Sequence, residues 1–297
     1  MSILVKTPGP LTTVQDAGRF GYQSSGIRPS GVMDAAAYEA ANALVGNGNG
    51  EAVLEMTFLG ATLTFQDAAW VALTGADMAA TLDGAPVERY RAIKIAAGQT
   101  LAVGMAASGC RGYLAVRGGI DVPPVMGSRA TDIGAKLGGF AGRALKAGDL
   151  LPTRAADSWT PTDVRCAPPV YESEITVRVI PGPQAEYFTA AGTETFFASR
   201  YEVSPNSDRM GIRFDGAAIE SAGGTDIVSD GIVFGSVQVP SGGVPIVLMA
   251  DHQTTGGYAK IGTVLSFDLP KLAQARPGDT VRFTRISAEE AQQLYTK

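Results

Sequence analysis

The sequence predicts a mainly β protein with a few short helices, from three observations. Short apolar runs recur between Gly and Pro residues at intervals suited to sandwiches or barrels. The 37 glycines supply the positive φ and close backbone approach that tight turns and barrel corners need. At 297 residues the chain exceeds the usual size of one compact core, so two domains are expected.

In chain order, strands are expected at residues 2–6, 52–56, 61–65, 69–74, 100–103 and 113–116, then at 176–180, 201–203, 246–249, 262–265 and 280–285. One helix stands out at residues 35–45, where Asp34 can cap the start and Gly46 followed by Asn47 can stop it. Met33, Ala37, Ala41 and Leu44 recur at helical spacing and form its buried side, the small alanines implying close packing. Further helices are expected at residues 184–191 and at 288–295, the latter capped by Ser287 with Glu290 completing a capping box.

Residues 154–171 are rich in Pro, Asp, Thr and Ala and lack an apolar period, which places a boundary between Leu151 and Glu172. The expected organisation is an N-terminal lobe at 1–154, a linker at 155–171 and a C-terminal lobe at 172–297. A Gly148-Asp149 turn and a Gly278-Asp279 turn each lead into a closing strand, a weak sign that the two halves are related.

Composition excludes several classes. With 45% apolar and 18% charged residues the chain has ample core, and its net charge of −5 without a basic block argues against nucleic acid as a partner. No apolar stretch approaches the ~20 residues needed to cross a bilayer, and the first residues lack a long apolar signal core, so a cytoplasmic location without membrane contact is expected. Cys110 and Cys166 form no Cys-x-x-Cys pair in a chain with one histidine, so neither a disulfide framework nor a metal site is expected.

Four polar clusters carry candidate chemistry. In the first, Thr12-Thr13-Val14-Gln15-Asp16-Ala17-Gly18-Arg19-Phe20-Gly21-Tyr22 is followed after Pro29 by Ser30-Gly31-Val32-Met33-Asp34. Asp16 and Arg19 can orient each other and leave a guanidinium fork for a carboxylate, bicarbonate or phosphate; the alternative is a structural loop pair, with Asp34 a plain helix cap. The second, around Gly127-Ser128-Arg129-Ala130-Thr131, offers hydroxyls and backbone N–H groups to an oxyanion, although a Pro/Gly-rich surface loop reads the same way and no P-loop spacing occurs.

The third is Ser204-Pro205-Asn206-Ser207-Asp208-Arg209-Met210-Gly211-Ile212-Arg213, a polar turn entering a strand. The fourth, Asp251-His252-Gln253-Thr254-Thr255-Gly256-Gly257-Tyr258, follows the apolar run 245–250 and has more convergent donors and acceptors than a turn needs, with residues 229–231 and 238–240 as expected neighbours. Gln253, Thr254 and Thr255 suit an amide or lactam, and Asp251 a base or an orienting group. His252 is the sole histidine, a general-base candidate that reads more simply as structural, and no Gly-x-Ser-x-Gly elbow accompanies it.

Taken in order, these segments together with Ala41-Asn42-Ala43-Leu44-Val45-Gly46-Asn47 resemble the allophanate hydrolase subunit 2 family, whose members are called biotin-dependent carboxyltransferase proteins or, in bacterial 5-oxoprolinase, the C component. The resemblance spans nearly the whole chain. It implies two cyclophilin-like β-barrel lobes, and separately encoded partners similar to the B and A components of 5-oxoprolinase. The implied activity opens the lactam of 5-oxoproline to glutamate with ATP and Mg2+, the lactam being activated by phosphorylation.

Under that reading Arg19, Arg129 and Arg209 bind anionic groups, and Gln253 and Thr254 hold the lactam or its carboxylate. Tyr22, Ser128, Thr255 and Tyr258 complete the binding residues, and Asp16, Asp34 or Asp251 orients a proton or the metal. The same resemblance implies two alternatives. One is a carboxyltransferase passing a carboxyl group from carboxybiotin to urea or a related amide, the one case that calls for biotin. The other is a non-catalytic protein that sequesters a kinase inhibitor.

Overall fold

The structure, a computed structural model, describes residues 1–48, 50–154, 159, 161 and 166–295. It divides into two compact units, Met1–Phe20 with Ser30–Tyr171 and Gly21–Pro29 with Glu172–Lys297. Most of the expected linker, at 155–158, 160 and 162–165, lies outside the described residues.

In the first unit the strands form two sheets over one core. A six-stranded sheet runs in the order Leu150–Pro152, Ser2–Thr7, Thr62–Phe65, Thr100–Ala102, Thr81–Leu82, Ala85–Pro86. The other has five strands, in the order Thr12–Gln15, Val53–Thr57, Ser108–Val116, Ala69–Asp77, Ala92–Ile95. Side chains alternate across the five-stranded sheet. Val71, Leu73, Leu114 and Val116 face the core shared with Ile3, Val5, Leu63 and Phe65 of the other sheet. Ala72, Tyr113 and Ala115 face outward, under the helix Ala35–Leu44, which buries Ala37, Ala41 and Leu44 on them. Alanines on both sides of this contact let the helix lie close to the sheet.

The second unit closes into a barrel of seven strands: Glu174–Pro181, Lys260–Val264, Ser236–Gln238, Ile246–Leu248, Gly211–Gly216, Arg200–Val203 and Thr280–Arg285. The last pairs in parallel with the first, Glu174 opposite Thr280, and this contact closes the ring. Phe196 of the helix Ala190–Ala198 stacks on Phe283 with ring centroids 4.6 Å apart, and Tyr201 and Phe214 complete an aromatic plug. Beside the barrel, Asp226–Gly231 and Thr255–Tyr258 form a two-stranded sheet.

Every expected strand is present within a few residues, and the chain is mainly β with short helices. The helix expected at 184–191 is displaced: a 3-10 turn, Ala185–Tyr187, comes first, and the α-helix starts at Ala190 because Thr189 accepts from the Gly192 N–H. The last helix has its capping box, with Ser287 N–H donating to Glu290 at 2.9 Å and Glu290 N–H to Ser287 Oγ at 3.1 Å. The two Gly-Asp turns match locally, since Asp149 accepts from Lys146 N–H and Asp279 from Arg276 N–H, both at 2.7 Å.

Candidate functional site

In the first unit two sequence clusters lock together. Asp16 follows the strand Thr12–Gln15, and its carboxylate accepts from Gly18 N–H at 2.9 Å, from Ser128 Oγ at 2.7 Å and from the Arg129 N–H. The alignment continues through Thr131, whose N–H and hydroxyl both donate to the Val14 carbonyl, at 3.0 and 2.8 Å.

Arg19 is fully buried beneath the same loop and donates through Nε to the Val125 carbonyl at 2.9 Å and through Nη2 to Ala130 at 2.8 Å. The Asp16–Arg19 pairing expected from the sequence is therefore not made. The carboxylate anchors the start of the Ser128 turn, and the guanidinium holds that turn's carbonyls. Arg129 points elsewhere, its Nε donating to Val122 O at 2.9 Å.

Asp34 belongs to neither interaction. It is the N-cap of the helix Ala35–Leu44, its carboxylate taking the Ala37 N–H at 2.9 Å, while its own N–H donates to Tyr113 Oη at 2.9 Å. Tyr113 Oη in turn donates to Glu55, which also accepts the Met33 N–H. Burial, reinforced by the Glu55 charge, pushes the Tyr113 hydroxyl well above its ordinary value, so it stays a donor. Glu55 is a buried carboxylate that sequence reasoning misses; its one signal is an acid inside the apolar strand Val53–Thr57.

In the second unit, Arg209 and Asp251 form a buried two-pronged ion pair, Nε to Oδ2 at 2.9 Å and Nη2 to Oδ1 at 3.0 Å. The strand-end position of both follows from the pairing of Gly211 with Leu248, extended by Asp251 N–H donating to Arg209 O. Arg28, on the N-terminal stretch that belongs to this unit, donates to the Asp251 carbonyl at 3.1 Å. Tyr22 lies on that stretch too, half-exposed.

Past Asp251, Gln253 reaches Gln238, Nε2 to Oε1 at 3.4 Å, and Gln238 Nε2 donates to the Tyr258 carbonyl at 3.3 Å. A side chain at Gly256 would sit 2.5 Å from Gln238 Nε2 and 3.3 Å from Gln253 Nε2, so glycine makes room for both amides. Thr254 is half-buried and Thr255 and the Tyr258 ring are exposed beside them. Lys260 and Gln184, both joined to Asp230, complete this cluster and are likewise missed by sequence reasoning.

His252 is buried with Nδ1 2.7 Å from the Gln253 carbonyl. A carbonyl only accepts, so this nitrogen carries the proton of the neutral ring. Burial holds the imidazole below its ordinary value of 6.5, and the Gln253 and Asp251 contacts only partly oppose this. Its stabilising contribution is complete above the unfolded value and is lost as pH falls through the folded one. The melting temperature is expected to drop as pH falls below the ordinary value of about 6.5, with a shallower slope in His252→Gln. An equal slope in that variant would remove His252 as the cause.

Among the described residues no three His, Cys, Asp or Glu side chains converge as a metal cage. Asp16, Asp34 and Asp251 have their carboxylates engaged by the donors named above. They do not fit a magnesium site in this arrangement, and no chemical step is assigned to a metal on them.

Residues 25–285 match the family described as the carboxyltransferase domain, subdomain A and B. The chain is 42% identical to the C component of the Escherichia coli 5-oxoprolinase over 95% of its own length and 91% of that protein's. It is 34% identical to the urea amidolyase of Lachancea kluyveri, over 98% of this chain and 17% of that much longer one. The crystal structure of the K. lactis urea amidolyase superposes with a TM-score of 0.92 at 32% identity, over 99% of this chain and 19% of that one. A protein built on these two units, matched from one end to the other by such relatives, belongs to the carboxyltransferase domain family that includes the C component of 5-oxoprolinase.

Proposed function

We propose that this chain is the C component of an ATP-dependent 5-oxoprolinase, working with B-like and A-like partners to convert 5-oxoproline to glutamate. The observation that carries this reading is the 42% identity to the C component of a 5-oxoprolinase, which extends over nine-tenths of both chains. The paired amides of Gln238 and Gln253 supply matching chemistry, since a planar N–C=O unit needs one donor and one acceptor side by side.

An amide carbonyl is a poor electrophile. Transfer of the γ-phosphoryl group of ATP to the lactam oxygen, with ADP leaving, makes the ring carbon electrophilic; water adds to that carbon, the C–N bond breaks as the nitrogen takes up a proton, and a second water hydrolyses the acyl phosphate so formed to glutamate and phosphate. In this reading Gln253 and Thr254 hold the lactam, with Thr255 and Tyr258 at the open side. Arg209, the arginine of this unit that would meet an anionic group, is positioned by Asp251.

Reconstitution with the B-like and A-like partners tests it by glutamate release from 5-oxoproline with and without ATP. Gln253→Ala is expected to reduce turnover about a hundredfold at an unchanged melting temperature, in the range seen when one transition-state donor is lost. The second reading, carboxyl transfer from carboxybiotin to urea, draws on the close superposition with urea amidolyase. It gains if no glutamate forms while a biotin carboxylase confers urea-dependent ATP hydrolysis. A stable complex without any ATP turnover would favour sequestration.

A further inference from the structure

We propose that Lys260 selects an anionic amide, binding the substrate's carboxylate beside the amide face formed by Gln238 and Gln253; this rests on the lactam reading above. The lysine stands on the barrel strand Lys260–Val264 with its side chain only 6% exposed. Its ammonium donates to Asp230 at 2.6 Å, the one side-chain partner it has among the described residues.

A β-bulge aims it. The strand pairing runs Val237 opposite Gly262 and then Gln238 opposite Lys260, so Ile261 is extra. Bulges re-aim the side chains that follow them. Gln238 and Lys260 are thereby brought directly across from each other on one face, where opposed Cβ atoms are about 5 Å apart. Asp230 reaches the same place from the two-stranded sheet, where it pairs with Gly256, the residue that clears space for both glutamine amides. Gln184 donates to Asp230 at 3.1 Å and accepts from the Lys260 N–H at 3.3 Å. Two amides, one ammonium and a backbone without a side chain therefore converge.

The ion pair is lopsided. A buried ammonium cannot be left without a counter-charge, whereas Asp230, with a side chain 49% exposed, can return to water at little cost. An incoming carboxylate therefore takes the place of Asp230 and keeps Lys260 neutralised throughout. Urea is uncharged and presents nothing to this group. 5-Oxoproline carries its carboxylate on the ring carbon next to the lactam nitrogen, so its two polar ends meet the two halves of the cluster.

The test compares 5-oxoproline with 2-pyrrolidone, the same lactam without the carboxylate, in the reconstituted complex. The wild type should favour 5-oxoproline, and Lys260→Met should lose at least tenfold in kcat/KM for it, mainly through KM, with little change for 2-pyrrolidone. Lys260→Arg should restore part of the preference. A folded Lys260→Met complex that keeps the wild-type ratio overturns the proposal and leaves the 5-oxoprolinase reading standing.

If the wild-type complex releases no glutamate, that reading fails by itself, and Lys260 is then judged by titrating the isolated chain with 5-oxoproline and acetate. Binding that weakens in Lys260→Met and tightens in Asp230→Asn supports the carboxylate site. Equal binding in all three proteins overturns it.

Discussion

Asp251→Ala is expected to destabilise the protein by about 3 kcal/mol, because it removes the carboxylate that takes two charge-assisted hydrogen bonds from the buried Arg209 guanidinium. A loss of that size lowers the melting temperature by on the order of 10 °C in a protein of this length. The magnitude follows from burial: both side chains are nearly inaccessible, and water cannot replace either of the two charge-assisted hydrogen bonds, at 2.9 and 3.0 Å. Asp251→Asn keeps the shape and one acceptor and should fall between.

Far-UV circular dichroism is the appropriate probe, since both tryptophans, Trp70 and Trp159, belong to the other unit. The double variant Arg209→Met, Asp251→Leu should recover much of the loss by removing both charges together. A single variant that melts with the wild type would show that the pair adds nothing to stability, leaving Asp251 free for the orienting role the sequence suggests.

The strand inventory is legible in the sequence because apolar runs bounded by Gly and Pro survive as strands whichever sheet they join. How those strands group is not. The Thr12–Gln15 segment reads only as part of a polar cluster, yet it is a buried edge of the five-stranded sheet, because its side chains are covered by a loop more than a hundred residues away. Likewise Gln23–Ser25 and Leu269–Ala273 are too short to carry a period.

For the candidate site, the four polar clusters are legible and their partners are not. Asp16 holds Ser128, and Asp251 holds Arg209, because long-range contacts are chosen by strand register rather than by spacing along the chain. Lys260 illustrates the remainder: it looks like an ordinary surface charge until a bulge sets it across from Gln238, joined to the Asp230 that the sequence does group with the fourth cluster.

Arg19→Ala is expected to cost about 3 kcal/mol, since it takes the side-chain donor from the Ala130 carbonyl, leaves the Val125 carbonyl with only the Ser128 N–H at 3.3 Å, and empties a large buried side-chain volume. This reverses the simplest sequence-level expectation, in which Arg19 binds ligand and its removal lowers turnover alone. Lysine cannot span two carbonyls with one ammonium as the guanidinium fork does, so Arg19→Lys should recover only part of the stability.

Gly138→Ala offers an independent way to the same state. Its Cβ would lie 2.1 Å from Ala130 O and 2.5 Å from Arg19 Nη2, at a backbone φ of +64° that disfavours any side chain. If Arg19 is the anchor of this loop, both variants should lower the tryptophan-fluorescence unfolding midpoint together, and any loss of turnover should track the loss of folded protein. Should Arg19→Ala instead retain the wild-type midpoint while turnover collapses, the guanidinium acts on the substrate directly. Its remaining nitrogen, Nη1, which has no hydrogen-bond partner among the described residues, would then be the atom that does so.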